Sequence, residues 1–341
     1  MEIKIANEED KTKWDDLILF SENGTLYHTW DWLKLMEKHS TKKIFSHRLK
    51  ATLYPIMVFD GSSLYGVIPL YLYKILSVKF VASPPPGVEN KYLGPVIQNN
   101  DKIKLHNKYS KFIKFQNQID YFIKNTLKSN IVNIDLPPYP QDPRSFIWSG
   151  YSVEPRHTNI IDLKKRETEI WNNFNKKLRN EIKKAHNEGI IVEEGTKEHI
   201  DFIYTTMSEN QRIYSSKEFI QEIYDVFYPE NLKIFVAKKD NKVLSGLIIT
   251  NYKNKVDAWI GTPKVSYKGI SPNPLIHWAC IQWACTNKYN FYEIIDADNP
   301  NFFRFKNKFN SELIHYYSMR WYSPKIRISK GIYRAIKPRY K

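Results

Sequence analysis

The chain has 341 residues, 42% of them hydrophobic and 15% aromatic, which is enough apolar material for two domains with real cores and excludes a disordered or fibrous protein. Lys and Arg number 52 against 36 Asp and Glu, a formal charge of +16 that suits polyanions such as tRNA, phosphorylated substrates or an anionic membrane surface, and equally suits an ordinary solvated Lys-rich surface. The N-terminal MEIKIANEEDKTKW lacks the apolar core of a signal peptide, and no apolar run reaches the roughly 18 residues of a membrane span, so the expectation is a soluble cytoplasmic protein that touches at most the inner face of a membrane.

The first half reads as one α/β unit ending near residue 155. A helix is predicted around Lys11 to Leu19, followed by the aromatic turn Tyr27 to Trp32 and a helix from Leu33 to His39. Strands are predicted over Ala51 to Phe59 and Gly66 to Tyr73, joined across the Asp60-Gly61 turn. Ala82 to Gly87, with three consecutive prolines, reads as a rigid loop outside any regular element. Lysine-rich sequence from Asp101 to Lys128 turns helical from Ile113 onward, and the strand Ile131 to Asp135 ends in an acid before Pro137 and Pro138.

The second half opens with the strand Thr158 to Leu163. Apolar residues Ile170, Trp171, Phe174, Leu178, Ile182 and Ala185 recur at helical steps, so one helix is predicted from Glu167 to Glu188, closed by Gly189. Strand Ile190 to Glu194, helices His199 to Arg212 and Glu218 to Phe227, and strands Leu232 to Lys238, Val243 to Tyr252 and Lys255 to Gly261 follow, with Asp240-Asn241 as a hairpin turn. Asn273 caps a helix with Pro274 at its first position. Cys280 and Cys285 lie on different sides of that helix, as small core residues rather than a disulfide or metal pair. Strand Asn290 to Ile295 runs out into Asp296 and Asp298, the position where α/β proteins place ligand groups, and Lys306 follows closely. A surface acid pair and a solvated lysine are the alternative for this stretch. Residues 316–341 form a basic tail interleaved with Tyr316, Tyr317, Trp321, Tyr322, Tyr333 and Tyr340, a mixture suited to RNA or to an anionic membrane interface.

An apolar helix with two tryptophans, a strand, an acidic turn and then Phe305-Lys306-Asn307-Lys308-Phe309-Asn310 resembles the end of the second acyltransferase domain in Fem-type (FemAB-like) non-ribosomal peptidyltransferases of the GNAT superfamily. That family usually writes Phe-Lys-x-x-Phe-Gly; Asn310 stands for the glycine here and tolerates the same left-handed backbone. Tyr92-Leu93-Gly94-Pro95-Val96 and Lys177-Leu178-Arg179-Asn180-Glu181-Ile182-Lys183-Lys184-Ala185 also resemble the family. The resemblance implies an α/β fold of two tandem GNAT-like domains, residues 1–155 and 156–315, with the tail 316–341 returning to the first. It implies amide formation on an amine acceptor from an aminoacyl-tRNA, the acceptor being a nucleotide-sugar or lipid-linked peptide precursor of the envelope. Lys306 and Asp296 are then the catalytic candidates, Lys306 beside the developing oxyanion. Lys34, Asp135, Arg212, Tyr214 and Trp259 are the substrate-binding candidates.

A GNAT enzyme that uses acyl-CoA normally carries Gln/Arg-x-x-Gly-x-Gly/Ala before the helix beginning here at Pro274, because backbone N–H groups there bind the pyrophosphate. This chain has Ser266 to Pro274, in which Pro272 and Pro274 lack two such donors, so no cofactor is expected and acyl-CoA is disfavoured. No zincin, paired-cysteine, Gly-x-Ser-x-Gly or Walker motif is present, which leaves metal, serine-hydrolase and NTPase readings without support. A CoA- or carrier-dependent N-acyltransferase and a non-catalytic RNA or envelope adaptor remain as alternatives.

Overall fold

The computed structural model describes residues 1–341 apart from 45–46, 100–103, 139–141, 211–212, 264, 296–297, 299 and 329–341. The chain divides into two compact units, Met1–Pro155 together with Tyr316–Lys341, and Arg156–His315.

The first unit begins with β1 (Glu2–Ile5), α1 (Lys11–Phe20) and α2 (Trp30–His39). β2 (Thr41–Ile44) and β3 (His47–Lys50) form a separate ribbon. The sheet is built from β4 (Thr52–Asp60), β5 (Ser63–Ile75), β6 (Val78–Ser83), the short β7 (Val96–Ile97) beside β5, and β8 (Ile131–Asp135), with α3 (Leu105–Tyr121) and α4 (Arg144–Trp148) in the connections. Asp60 pairs with Ser63 across the predicted turn, where Gly61 takes φ +62°. Phe112, Phe115 and Ile119 recur at three- and four-residue steps along α3 and lay one stripe on Ile56, Val58, Ile68 and Leu70 of the sheet.

The predicted proline loop is corrected at its start. Ala82 and Ser83 end β6, where Ala82 pairs with Tyr71 on one side and with Asn133 on the other. Strand character there comes from two neighbours distant in sequence, a signal that local turn chemistry cannot carry.

β9 (Ser152–Asp162) leads into the second unit, which continues through α5 (Glu167–Asn173), α6 (Lys176–Asn187), β10 (Ile191–Glu194), α7 (His199–Glu209) and α8 (Lys217–Phe227). β11 (Leu232–Lys239), β12 (Lys242–Tyr252), β13 (Lys255–Gly261), α9 (Asn273–Thr286), β14 (Phe291–Ile294) and α10 (Pro300–Lys306) follow. β15 (Glu312–Tyr322) returns the chain to the first unit, where Ser318 pairs with Asp135 of β8. The second unit's sheet runs β9-β14-β13-β12-β11-β10, antiparallel except for the parallel pair β13 and β14. Asp240 and Asn241 both take positive φ at the β11–β12 turn, as a two-residue hairpin with right-handed strand twist requires.

Three helix predictions need correction. The helix expected from Ile113 onward already begins at Leu105. The helix expected over 167–188 is broken, because Phe174 turns extended to reach the core beside Trp278 and Phe309 while Asn175 caps a new helix through Lys177 N–H. Apolar spacing continued across the break because both pieces lay their stripe on one core. Asn273 does not cap α9: it is the first helical residue, accepting from Ser245 Oγ at 2.8 Å and donating to the Thr262 carbonyl at 2.9 Å, so it ties the helix start to β12 and the end of β13.

Candidate active site at the end of β13 and β14

β13 and β14 run parallel from the pair Lys255–Phe291 to the pair Ala258–Ile294, where β14 ends. β13 continues along β12 to Gly261. A crevice at the carboxyl ends of parallel strands is the usual ligand position of α/β folds. Between Ala258 and Ile260 the β12–β13 register shifts, which makes Trp259 the extra residue of a bulge; it is half-buried and meets Phe219 of α8 edge-on at 6.3 Å.

Lys306 closes the end of β14. As the last residue of α10 it is only 5% exposed, and its Nζ donates to the Ile295 carbonyl just beyond the strand. Phe305 and Phe309 flank it, their rings 5.3 Å apart, and His277 of α9 lies 5.4 Å from the first and 5.5 Å from the second. The backbone turn that seats Phe309 is set by Asn310, which takes the left-handed φ of +50° expected from the family's glycine. His277 Nδ1 lies 2.8 Å from the buried Tyr292 hydroxyl. Burial, and secondly the Lys306 ammonium, push the His277 imidazole down to about 3, so it is neutral at physiological pH. Burial also holds the Tyr292 phenol well above its usual value. The solvated lysine of the alternative reading is therefore not what the fold presents: an ammonium is held under an aromatic wall with a neutral hydrogen-bonding pair beside it.

The other face of β14 carries charge that sequence reasoning missed. Glu293 is fully buried, accepts from Thr158 Oγ1 at 2.7 Å and from Lys255 Nζ at 2.6 Å, and Lys255 also lies 3.0 Å from buried Asp257. A glutamate inside the apolar run Phe291 to Ile295 was the available signal. His157 and Asp298 form a second pair. Asp298 accepts the His157 backbone N–H at 3.1 Å through one oxygen and meets Nδ1 at 2.7 Å through the other.

Of the remaining predicted residues, Asp296 and Arg212 lie outside the described residues. Tyr214, between α7 and α8, is 72% exposed. In the first unit Asp135 ends β8, half-buried, with its carbonyl accepting from Leu93 N–H at 2.9 Å. Gly94 is required there, because at φ +65° a Cβ would stand 3.2 Å from the Leu136 backbone. Lys34 on α2 spreads its ammonium between Glu37 at 3.3 Å and Glu8 at 3.5 Å. Among the described residues no group of three or more His, Cys, Asp or Glu gathers as a metal site, and no helix is long and apolar enough to cross a membrane.

Residues 147–255 match the FemAB family. That stretch takes in β9, the α5–α6 pair and the strands up to the start of β13, and stops before α9 and Lys306. Among solved structures, FemX is similar over 98% of this chain and 100% of its own, with a TM-score of 0.66 at 14% identity. L-PGS from Bacillus licheniformis aligns over 95% of this chain and 96% of its own with a TM-score of 0.52 at 14% identity. A tandem GNAT protein from the clavulanic acid biosynthesis pathway aligns over 94% and 98%, with a TM-score of 0.52 at 9% identity. No curated protein matches. The Fem-type resemblance and the tandem GNAT-like α/β fold, mixed sheets flanked by helices, are thus both established.

Proposed function

We propose that the protein is an aminoacyltransferase that forms an amide bond between the aminoacyl group of a charged tRNA and an amine on a cell-envelope precursor. The observation that carries this reading is the Lys306 ammonium, fixed where β13 and β14 part. Attack of an amine on an ester gathers negative charge on the carbonyl oxygen, and a preorganised cation in a water-poor site stabilises that charge most in the transition state. The hydrogen bond that Lys306 Nζ donates to the Ile295 carbonyl aims the ammonium at the end of β14. The FemAB match and the full-length likenesses to FemX and L-PGS support aminoacyl transfer to a cell-envelope acceptor. Lys34, Asp135, Arg212, Tyr214 and Trp259 stay the candidates for acceptor binding that the sequence resemblance implies, and Asp296 stays the second catalytic candidate. No cofactor is required.

The reading is tested by incubating the full chain with a mixed pool of labelled aminoacyl-tRNAs and a nucleotide-sugar-linked pentapeptide bearing one free amine, then a lipid-linked form of it. Label should move into an alkali-stable product. Absence of transfer to both, alongside micromolar binding of acetyl-CoA by calorimetry, would replace this reading with CoA-dependent acylation on the same fold. Weak acetyl-CoA binding is expected, because Pro272 sits at the N-cap of α9 and Pro274 in its first turn, where pyrophosphate would need backbone donors.

A further inference from the structure

The His157–Asp298 pair takes no part in the scheme above, and its geometry is that of a base held by an orienting acid. An ionised carboxylate can only accept, so the 2.7 Å contact requires the proton of a neutral imidazole to sit on Nδ1. The second carboxylate oxygen accepts the backbone N–H of the same histidine, which fixes the acid against the ring it orients. Nε2 is then left as a bare acceptor, with no hydrogen-bond partner among the described residues. The side chain is 36% exposed, so Nε2 is within reach of a ligand.

Its place in the fold puts it at the site. β9 pairs antiparallel with β14, Tyr292 facing Ile161 and Ile294 facing Asn159. Side chains alternate along a strand, so His157 shares the face of Asn159 and Ile161. Ile161, Tyr292 and Ile294 pack with Ile276, Cys280 and Ala284 of α9, which makes this the α9 face, the one on which His277 meets the Tyr292 hydroxyl. Two residues past Asn159, His157 stands beyond the end of β14, where Lys306 meets the Ile295 carbonyl.

We infer that His157 is the general base of the transfer, with Asp298 as its positioning residue; the inference rests on the aminoacyl-transfer reading. The acceptor ammonium first gives one proton to Nε2, which releases it to solvent. As the neutral amine attacks the ester carbonyl the C–N bond forms, the oxygen becomes an alkoxide beside Lys306, and the nitrogen becomes positively charged. Nε2 takes the proton from that nitrogen, the carbonyl reforms, the C–O bond to the ribose breaks, and the imidazolium delivers the proton to the departing oxygen. The products are an amide, a free ribose hydroxyl and one proton in solution. Titratable and charged groups on the surrounding elements are Asp298, Arg156 on β9, Glu312 and His315 on β15, Arg304 and Lys306 on α10, and His277 on α9.

The test is the transfer assay above, run from pH 6 to 9 with parent, His157→Gln, His157→Ala and Asp298→Asn. At pH 7 His157→Gln should fall by roughly 10²- to 10⁴-fold in kcat, and the deficit should shrink as pH rises and the acceptor amine loses its own proton. Added imidazole should restore part of the His157→Ala rate, which also shows that this variant is folded. Asp298→Asn should lower kcat with little change in acceptor KM. A His157→Gln deficit that is the same at every pH, together with no imidazole rescue of His157→Ala, would make the pair a loop fastener and overturn the inference, as would parental rates. A parent inactive with every charged tRNA would overturn the aminoacyl-transfer reading and this assignment with it, whereas an active parent with indifferent His157 variants overturns the assignment alone.

Discussion

Lys306→Met removes one ammonium and keeps most of the apolar stem between Phe305 and Phe309, so its consequences can be separated. The Ile295 carbonyl loses its Lys306 donor, which costs about 1–3 kcal/mol of stability if that oxygen stays dry. His277 loses the neighbouring positive charge while its burial, the larger cause, remains, so its imidazole should rise from about 3 yet stay below the ordinary 6.5. Transfer should fall by roughly a hundredfold or more, the loss expected for one oxyanion donor. Lys306→Arg should rescue poorly, because a planar guanidinium does not fit the pocket of a compact ammonium. The assays are urea denaturation, NMR titration of His277 and aminoacyl transfer, on the same samples. A folded Lys306→Met protein that transfers at the parental rate would refute the oxyanion role, and an unmoved His277 titration would refute the electrostatic contact itself.

Because the His277 imidazole titrates lower in the fold than in the unfolded chain, the unfolded state alone takes up a proton between about 6.5 and 3; the stabilisation is complete above 6.5 and is lost as pH falls through that window, by at most about 1.4 kcal/mol per pH unit. Urea midpoints of parent and His277→Phe across pH 4–8 should show that component vanish in the variant, and equal slopes would contradict it. Phe174→Ala should cost about 3–5 kcal/mol, since the ring is 3% exposed and packs on Trp278 and Phe309, and a loss under about 1 kcal/mol by denaturant melt would mean the break between α5 and α6 has another cause. At Asn310, whose φ is +50°, glycine should be within about 0.5 kcal/mol of parent while valine should cost about 1–2 kcal/mol, a ranking that thermal melts can reverse. tRNA affinity measured by filter binding should fall on the order of a hundredfold from about 50 to 200 mM salt if about five phosphates are contacted; a flat response would argue against backbone recognition.

Much of this molecule is local chemistry and was legible without coordinates. Two-fold and 3.6-fold apolar spacing marked β4, β5, β11 to β13 and α8, because each buries one face on a sheet or helix whose identity hardly matters. Asp60-Gly61 and Asp240-Asn241 fixed their turns through φ alone, and Asn310 stood for a glycine for the same reason. Lys306 was singled out as a candidate by the motif around it. What the spacing could not decide was direction and company. Phe174 obeys the helical period yet leaves the helix, since the core it joins is built by Trp278 and Phe309, more than a hundred residues onward. Asn273 looks like a cap and serves instead as a tie to Ser245 and Thr262. His157 and Asp298 are 141 residues apart, and only the pairing of β9 with β14 brings an unremarkable histidine to an acidic loop. Periodicity encodes which side of an element is buried; which groups then meet depends on register between strands distant in sequence, and that is set by the packed whole.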